Sequence, residues 1–343
     1  MAKPAVEITG KTLAHRYEVL RLDHEELLGS VYTAHDADED RLVSVKVLHP
    51  DLTEDREKFK RFGREITATY MVAQKNTVEV TDWGEDGDLH YLVMEYLFAH
   101  PLEEDLEKGP MQADRVARIG IQIARAVGAA HQEGIVHRAL GPANVLLLDN
   151  AVEGDFVKVR DFGLSKLEKV EDEETGLTTQ NTRVGNAAYM APEYIKSSKY
   201  HTKSDLYALG CLMYHMLTGR PPFSGSMLEL LSAHVSEDPP PPSTLVEGIP
   251  DWLEDVIMAM LQKSPEDRPG AYRVVQQIET GHGGSLDAPE LYELDDEGMP
   301  IIPEGPPTLA IALGASLLVL LVLALAVVAL IISFVIVVAI SMT

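Results

Sequence analysis

The spacing of the apolar residues changes once along this chain, and that change constrains the fold more than any other feature. In residues 42–48, Val43, Val45 and Val47 alternate with Ser44 and Lys46, the repeat of two that a strand requires. Residues 91–94 read as a second apolar strand, ending at Glu95. Between them Phe59, Phe62, Ile66 and Tyr70 recur at helical spacing. Further on, helical spacing dominates. Val116, Ile119, Ile123, Val127 and Ala130 make one stripe; Leu206, Leu209, Met213 and Leu217 make another, closed by Gly219 and Pro221. Two short apolar runs, 145–148 and 156–159, bracket a turn-like Asp149-Asn150, as in a hairpin. A strand-rich first lobe followed by a helical second lobe is an α+β arrangement.

The end of the chain obeys a different rule. After Glu304 no charged residue occurs up to Thr343, and residues 309–340 are almost wholly apolar. A bilayer is crossed by about 20 such residues, so one transmembrane helix is expected over 308–341. Residues 281–307, rich in Gly, Pro, Asp and Glu, read as an acidic flexible linker. No Lys or Arg follows Arg273, so the positive-inside rule gives no orientation. Residues 1–17 lack the long apolar run of a secretion signal, which places the folded part in the cytoplasm as an expectation. Ala310 and Gly314 form one small-xxx-small pair through which two spans would pair as a homodimer. With 29 Lys+Arg against 54 Asp+Glu, the net charge of −25 repels phosphate backbones and excludes nucleic acid as a partner. The single cysteine, Cys211, can form no intramolecular disulfide and reads as a small core residue in an apolar helical run.

Four short motifs occur in order: Val43-Ser44-Val45-Lys46, His137-Arg138-Ala139-Leu140 with Asn144 beyond it, Asp161-Phe162-Gly163, and Ala191-Pro192-Glu193. Each alone is weak, but the ordered set on its expected strands and loops resembles the protein-kinase signature. The resemblance runs from about Tyr17 to about Thr280 and is closest to bacterial Ser/Thr kinases of the eukaryotic-like type, many of which join a cytoplasmic kinase domain to a membrane span. It implies a bilobal fold: a tail over 1–16, a small β-rich lobe over 17–97 and a larger helical lobe over 98–280. It also implies the inner membrane of a bacterium as the location.

The resemblance assigns roles residue by residue. Lys46 would pair with the α/β-phosphates of ATP, and Glu65, on the following helix, would hold Lys46. Residues 95–97, from Glu95 to Leu97, would take the adenine through main-chain groups, with Met94 just before them. Gly29, Val31 and Leu146 are further nucleotide positions. Asn144 and Asp161 would hold Mg²⁺ against the phosphates. Asp205 would brace the catalytic loop, Phe162 would pack beneath the Glu65 helix, and Glu193 would pair with Arg268. His137 reads as a core histidine beneath Phe162. Arg138 would pair with a phosphate on the segment that carries Thr178, Thr179 and Thr182, the expected regulatory sites.

The sequence departs from that pattern at four places. Ala139 stands where the family has the aspartate that orients the substrate hydroxyl and accepts its proton. Gly141 stands where a lysine steadies the transferred group. Asn186 stands where a threonine bonds to those two. The glycine-rich loop reads His24-Glu25-Glu26-Leu27-Leu28-Gly29, with Gly29 alone surviving, and two carboxylates beside a triphosphate are repulsive. Ser44, where alanine is usual, puts a hydroxyl under the adenine. A positioned base contributes about 10²- to 10⁴-fold, so losing it alone leaves slow transfer; the further losses cut deeper. The expected function is a membrane-tethered pseudokinase, a signalling scaffold or regulator with a protein partner, that retains sites for ATP and Mg²⁺. The alternative is a slow Ser/Thr kinase. Transfer of the nucleotidyl group is a third, minor reading.

Overall fold

Alternating Val side chains need a second layer to cover them, and the first half of the chain supplies it as an antiparallel sheet. The computed structural model describes residues 7–26, 29–49, 72, 74–162, 187–283 and 286. Its six-stranded sheet contains β1 (Thr12–Leu13), β2 (Tyr17–Glu25), β3 (Gly29–Asp36), β4 (Arg41–Leu48), β5 (Val80–Asp86) and β6 (Leu89–Glu95), in the spatial order β1-β2-β3-β4-β6-β5. Val43, Val45 and Val47 are fully buried on one face with Val19, Tyr17 and Val93, which makes a small core of its own. The alternation places Lys46 on the other face of β4, yet its side chain is also buried.

The second lobe is built around helices. After β7 (Ala99–Pro101) and α1 (Leu102–Leu106) comes α2 (Ala113–Gln132), whose stripe Val116, Ile119, Ile123, Val127 and Ala130 is fully buried. β8 (Val145–Leu148) and β9 (Val157–Val159) form the expected hairpin, which joins β7 in a three-stranded sheet. The Asp149-Asn150 turn needs correction: Leu147 pairs with Val157 and Leu148 N–H reaches Phe156 O, so the connection spans 149–155 and is no tight turn. The chain continues through α3 (Pro192–Ser197), α4 (Thr202–Thr218), α5 (Met227–Ser236), α6 (Asp251–Met260) and α7 (Ala271–His282).

Helix α4 is the axis of this lobe. Its sequence stripe understates it, because Ser204 to Met213 are buried all round and Cys211 lies fully inside. It starts at a capping box of His201 and Ser204 and ends at Gly219, whose φ of 72° opens the left-handed turn. Buried Arg268 lies beside it and forks onto both carboxylate oxygens of Glu193, at 2.8 and 2.7 Å, while also donating to the Gln262, Lys203 and Lys263 carbonyls. A guanidinium satisfied at every edge is what makes so buried a charge tolerable.

The polypeptide divides into two units, Met1–Pro300 and Ile301–Thr343. No helix among the described residues is long and apolar enough to cross a membrane. The apolar stretch 309–340 lies outside the described residues, as do Glu65 with its helix, Gly163, Thr178, Thr179, Thr182 and Asn186.

Candidate functional site: a cleft with its phosphate corner occupied

A cleft of about 530 Å³ opens between the six-stranded sheet and the β8–β9 hairpin. The expected residues Val31, Lys46, Met94, Glu95, Leu97, Leu146 and Asp161 all line it, with Ser44 and Val78. Volume and an apolar slot with a few polar groups at one end suit a small organic ligand. At the strand end, Met94 sits opposite Ser44 in the β4–β6 ladder. Glu95 Oε1 accepts from Lys158 Nζ at 2.6 Å and from Glu79 N–H at 2.8 Å, which turns the side chain toward Lys158 and the Glu79 backbone.

The loop that carries Ala139 is braced from below. Asp205, on α4, accepts from the main-chain N–H of His137 and of Arg138 at 2.9 Å each, and from His131 at 2.8 Å. Those bonds hold Arg138 in the left-handed region at φ 72°; Asp161 is there too, at φ 62°. Non-glycine residues persist in that region when the surroundings over-determine them. His137 Nε2 meets Arg160 O at 2.9 Å, its ring packs on Phe162 at 4.6 Å between centroids, and burial lowers its basicity. It is a neutral core histidine, as its sequence context suggested.

Asn144 N–H reaches Gly141 O, and Asn144 Nδ2 donates to Ala139 O at 2.9 Å. The loop backbone is therefore braced at His137, Arg138, Ala139, Gly141 and Asn144, while position 139 presents only a methyl group and position 141 no side chain. Residues 137–144 contain no carboxylate that could take a proton in place of the missing one. Asn144, expected to face the same cleft, is not among the residues that line it, although its neighbour Ala143 is. Arg138 lies elsewhere, in a small pocket with Tyr189, Tyr200 and Asp205, its guanidinium 5.8 Å from the Tyr200 ring centre.

At the inner end of the cleft four charges close on one another. Lys46 Nζ is 2.6 Å from Glu26 Oε2 and 3.2 Å from Asp161 Oδ1. Glu26 Oε1 accepts from Arg160 at 2.6 Å and meets His24 Nε2 at 2.8 Å. Arg160 Nε lies 3.5 Å from Asp161 Oδ2. Burial would raise the pKa of Glu26, but Lys46, His24 and Arg160 outweigh it and hold the carboxyl far below its usual range. Burial likewise works against the Lys46 ammonium, and Asp161 and Glu26 outweigh it, so Lys46 stays charged.

Two sequence expectations change here. Glu25 and Glu26 do not act together: Glu25 is exposed, and Glu26 alone turns inward. Nor is Glu26 merely a repulsive neighbour, because it is the direct partner of Lys46. A bulge in β2 at Asp23, between the Leu22–Tyr32 and His24–Val31 pairs, re-aims this end of the strand. Glu26 N–H then closes on Gly29 O at 2.8 Å, and His49 reaches Glu26 O. Gly29 has a packing role: a Cβ there would collide with the Val47 carbonyl. Arg160 was missed altogether, although a basic residue directly before Asp161 was readable in the sequence.

A β-rich lobe and a helical lobe about a cleft that holds a strand lysine, a left-handed aspartate and a braced loop define the bilobal kinase-type fold. The chain belongs to the protein kinase family: the protein kinase domain pattern matches residues 27–278. Serine/threonine-protein kinase pkn3 of Myxococcus xanthus is 36% identical over 271 residues, covering 77% of this chain and 49% of that protein. PknB of Mycobacterium tuberculosis is 36% identical over 267 residues, with 76% and 42% covered. The chain thus spans half or less of the length of these curated relatives. The crystal structure of the Mycobacterium tuberculosis PknI kinase domain shares the fold, with a TM-score of 0.61 at 24% identity over 80% of this chain and 98% of that one.

Proposed function

We propose that this protein is a pseudokinase: a kinase-fold scaffold or regulator in a bacterial signalling pathway, tethered to the inner membrane by residues 308–341 through the acidic linker 281–307, with the folded part in the cytoplasm. The observation that carries this reading is the pairing of Lys46 with Glu26 above a loop that offers a methyl group at Ala139. The charge of Lys46 is already paired, and the loop 137–144 offers no carboxylate to an acceptor hydroxyl. Phosphoryl transfer depends on positioning and charge stabilisation, and both are reduced here.

ATP and Mg²⁺ are the ligands this family uses. In this cleft Lys46, Asn144 and Asp161 would hold them once Glu26 had moved aside. A phosphate arriving at Lys46 while Glu26 remained would meet a like charge; a unit pair at about 4 Å is worth about 4 kcal/mol at an effective dielectric of about 20. The second reading, a slow Ser/Thr kinase acting on protein hydroxyls, draws on the retention of Lys46, Asn144 and Asp161 in the sequence. Arg138 supports one regulatory expectation: a kinase acting in trans would modify Thr178, Thr179 or Thr182, and phosphopeptide mapping of the native protein checks it.

The test is labelling by γ-³²P-ATP and Mg²⁺ of the full chain and of a generic basic substrate, beside the Asp161→Ala variant. Equal background in both is expected. Labelling that Asp161→Ala abolishes would establish the kinase reading in its place. Retention of the chain in the membrane pellet after alkaline carbonate extraction is expected of the tether, and release would remove it.

A further inference from the structure

The cleft keeps its apolar slot while its phosphate corner is filled from within. Val31, Val78, Met94, Leu97 and Leu146 line the slot, and the main chain of 95–97 runs along it. The corner beyond contains two cations, Lys46 and Arg160, and two anions, Glu26 and Asp161, each cation within 3.5 Å of both carboxylates. The formal charges of these four described side chains sum to zero. The Glu26 carboxylate accepts from Lys46 on one oxygen and from Arg160 on the other. That is how a phosphate oxygen pair would be held. Both Asp161 oxygens face cations, which lowers their attraction for a divalent metal.

Resting on the pseudokinase reading, we propose that Glu26 is an internal stand-in for a phosphate and sets the ligand class of the cleft: an uncharged purine nucleoside in preference to a nucleoside triphosphate. The slot would take the heterocycle. The corner would take nothing further, because Glu26 is held there by Lys46, Arg160 and His24, and its main chain is fixed by Gly29 and His49. A triphosphate gains little by displacing it, since each bond it would make to Lys46 and Arg160 replaces one already made. Glu26 is thus a specificity-determining residue, and the basic residue before Asp161 is its second anchor.

Isothermal titration calorimetry on the full chain in detergent micelles tests this, with adenosine, ATP alone and ATP with Mg²⁺ as probes of the wild type, Glu26→Gln and Glu26→Gly. The wild type is expected to bind adenosine about tenfold or more tighter than either form of ATP. In the variants Lys46 and Arg160 face the phosphates alone, so the order is expected to reverse. A wild type that prefers ATP, or an affinity ratio unmoved by both substitutions, overturns the proposal. If one variant does not fold, the other and the wild-type ratio still decide. A wild type that binds none of the probes also overturns it, while leaving the inert-scaffold reading standing. Asp161-dependent transfer of the γ-phosphate would overturn both.

Discussion

Two of the ion-pair centres among the described residues are used differently. Under α4, Arg268 forks onto Glu193 and caps three carbonyls, and Asp205 gathers the N–H groups of the loop above it. In the cleft, Lys46 and Arg160 close on Glu26. Residues at the first centre hold backbone in place. At the second centre Lys46 and Asp161 keep their motif positions, and Glu26, from the altered loop, fills the space between the cations. Bracing and chemistry are therefore separable in this chain: the loop around Ala139 is held by Asp205 and Asn144 although position 139 offers no base.

The comparison breaks if the two centres respond alike to substitution. Arg268→Ala should have the largest effect, removing a fully buried guanidinium and leaving the half-buried Glu193 carboxylate with only Ser204; breaking such a pair costs about 3–5 kcal/mol. Urea unfolding measures it, and Glu26→Gln should cost clearly less, since Asp161 still faces Lys46. Asp205→Ala should follow, at about 2–3 kcal/mol, because the His137 and Arg138 N–H groups lose their acceptor. Equal costs for Arg268→Ala and Glu26→Gln would mean that the cleft cluster is structural, like the first centre.

Gly29→Ala sharpens the picture of the small lobe. Its Cβ would meet the Val47 carbonyl, so β3 must shift away from β4 at a cost of about 1–2 kcal/mol in the same unfolding experiment. The smallest effect is the acid response. Glu26 and Glu193 both have carboxyl groups held below the ordinary value. Burial opposes this at Glu193, where Arg268 and Ser204 prevail. A lowered folded-state pKa contributes stability that is complete above the unfolded value of about 4.3 and is lost as pH falls through the folded value. Glu193→Gln and Glu26→Gln should each lose less stability than the wild type between about pH 5 and pH 3, read by denaturation at each pH.

Much of this was legible in the sequence because it rests on periodicity. The buried Val43, Val45 and Val47 follow from a repeat of two, and the α2 stripe from a repeat of three to four. The placing of Asp205 under the loop and of Arg268 beside Glu193 followed from motif order. The cleft cluster was legible only in part. A carboxylate at position 26 was visible, but its partner depends on the bulge at Asp23 and on Arg160, which lies 134 residues further along the chain. Contacts of that separation have no periodic signal. Nor does periodicity distinguish an exposed Lys46 from a buried one: the alternation predicts a face, and what lies against that face is a tertiary matter.

One measurement bears most directly on the claim that altered ligand-facing residues, and not the fold, silence this cleft. It is γ-³²P-ATP labelling by the full chain carrying Glu26→Gly, Ala139→Asp and Gly141→Lys together, beside the wild type, each with and without Asp161→Ala. The account predicts a silent wild type and a restored chain whose labelling vanishes with Asp161→Ala. Labelling by the wild type that depends on Asp161 would contradict it.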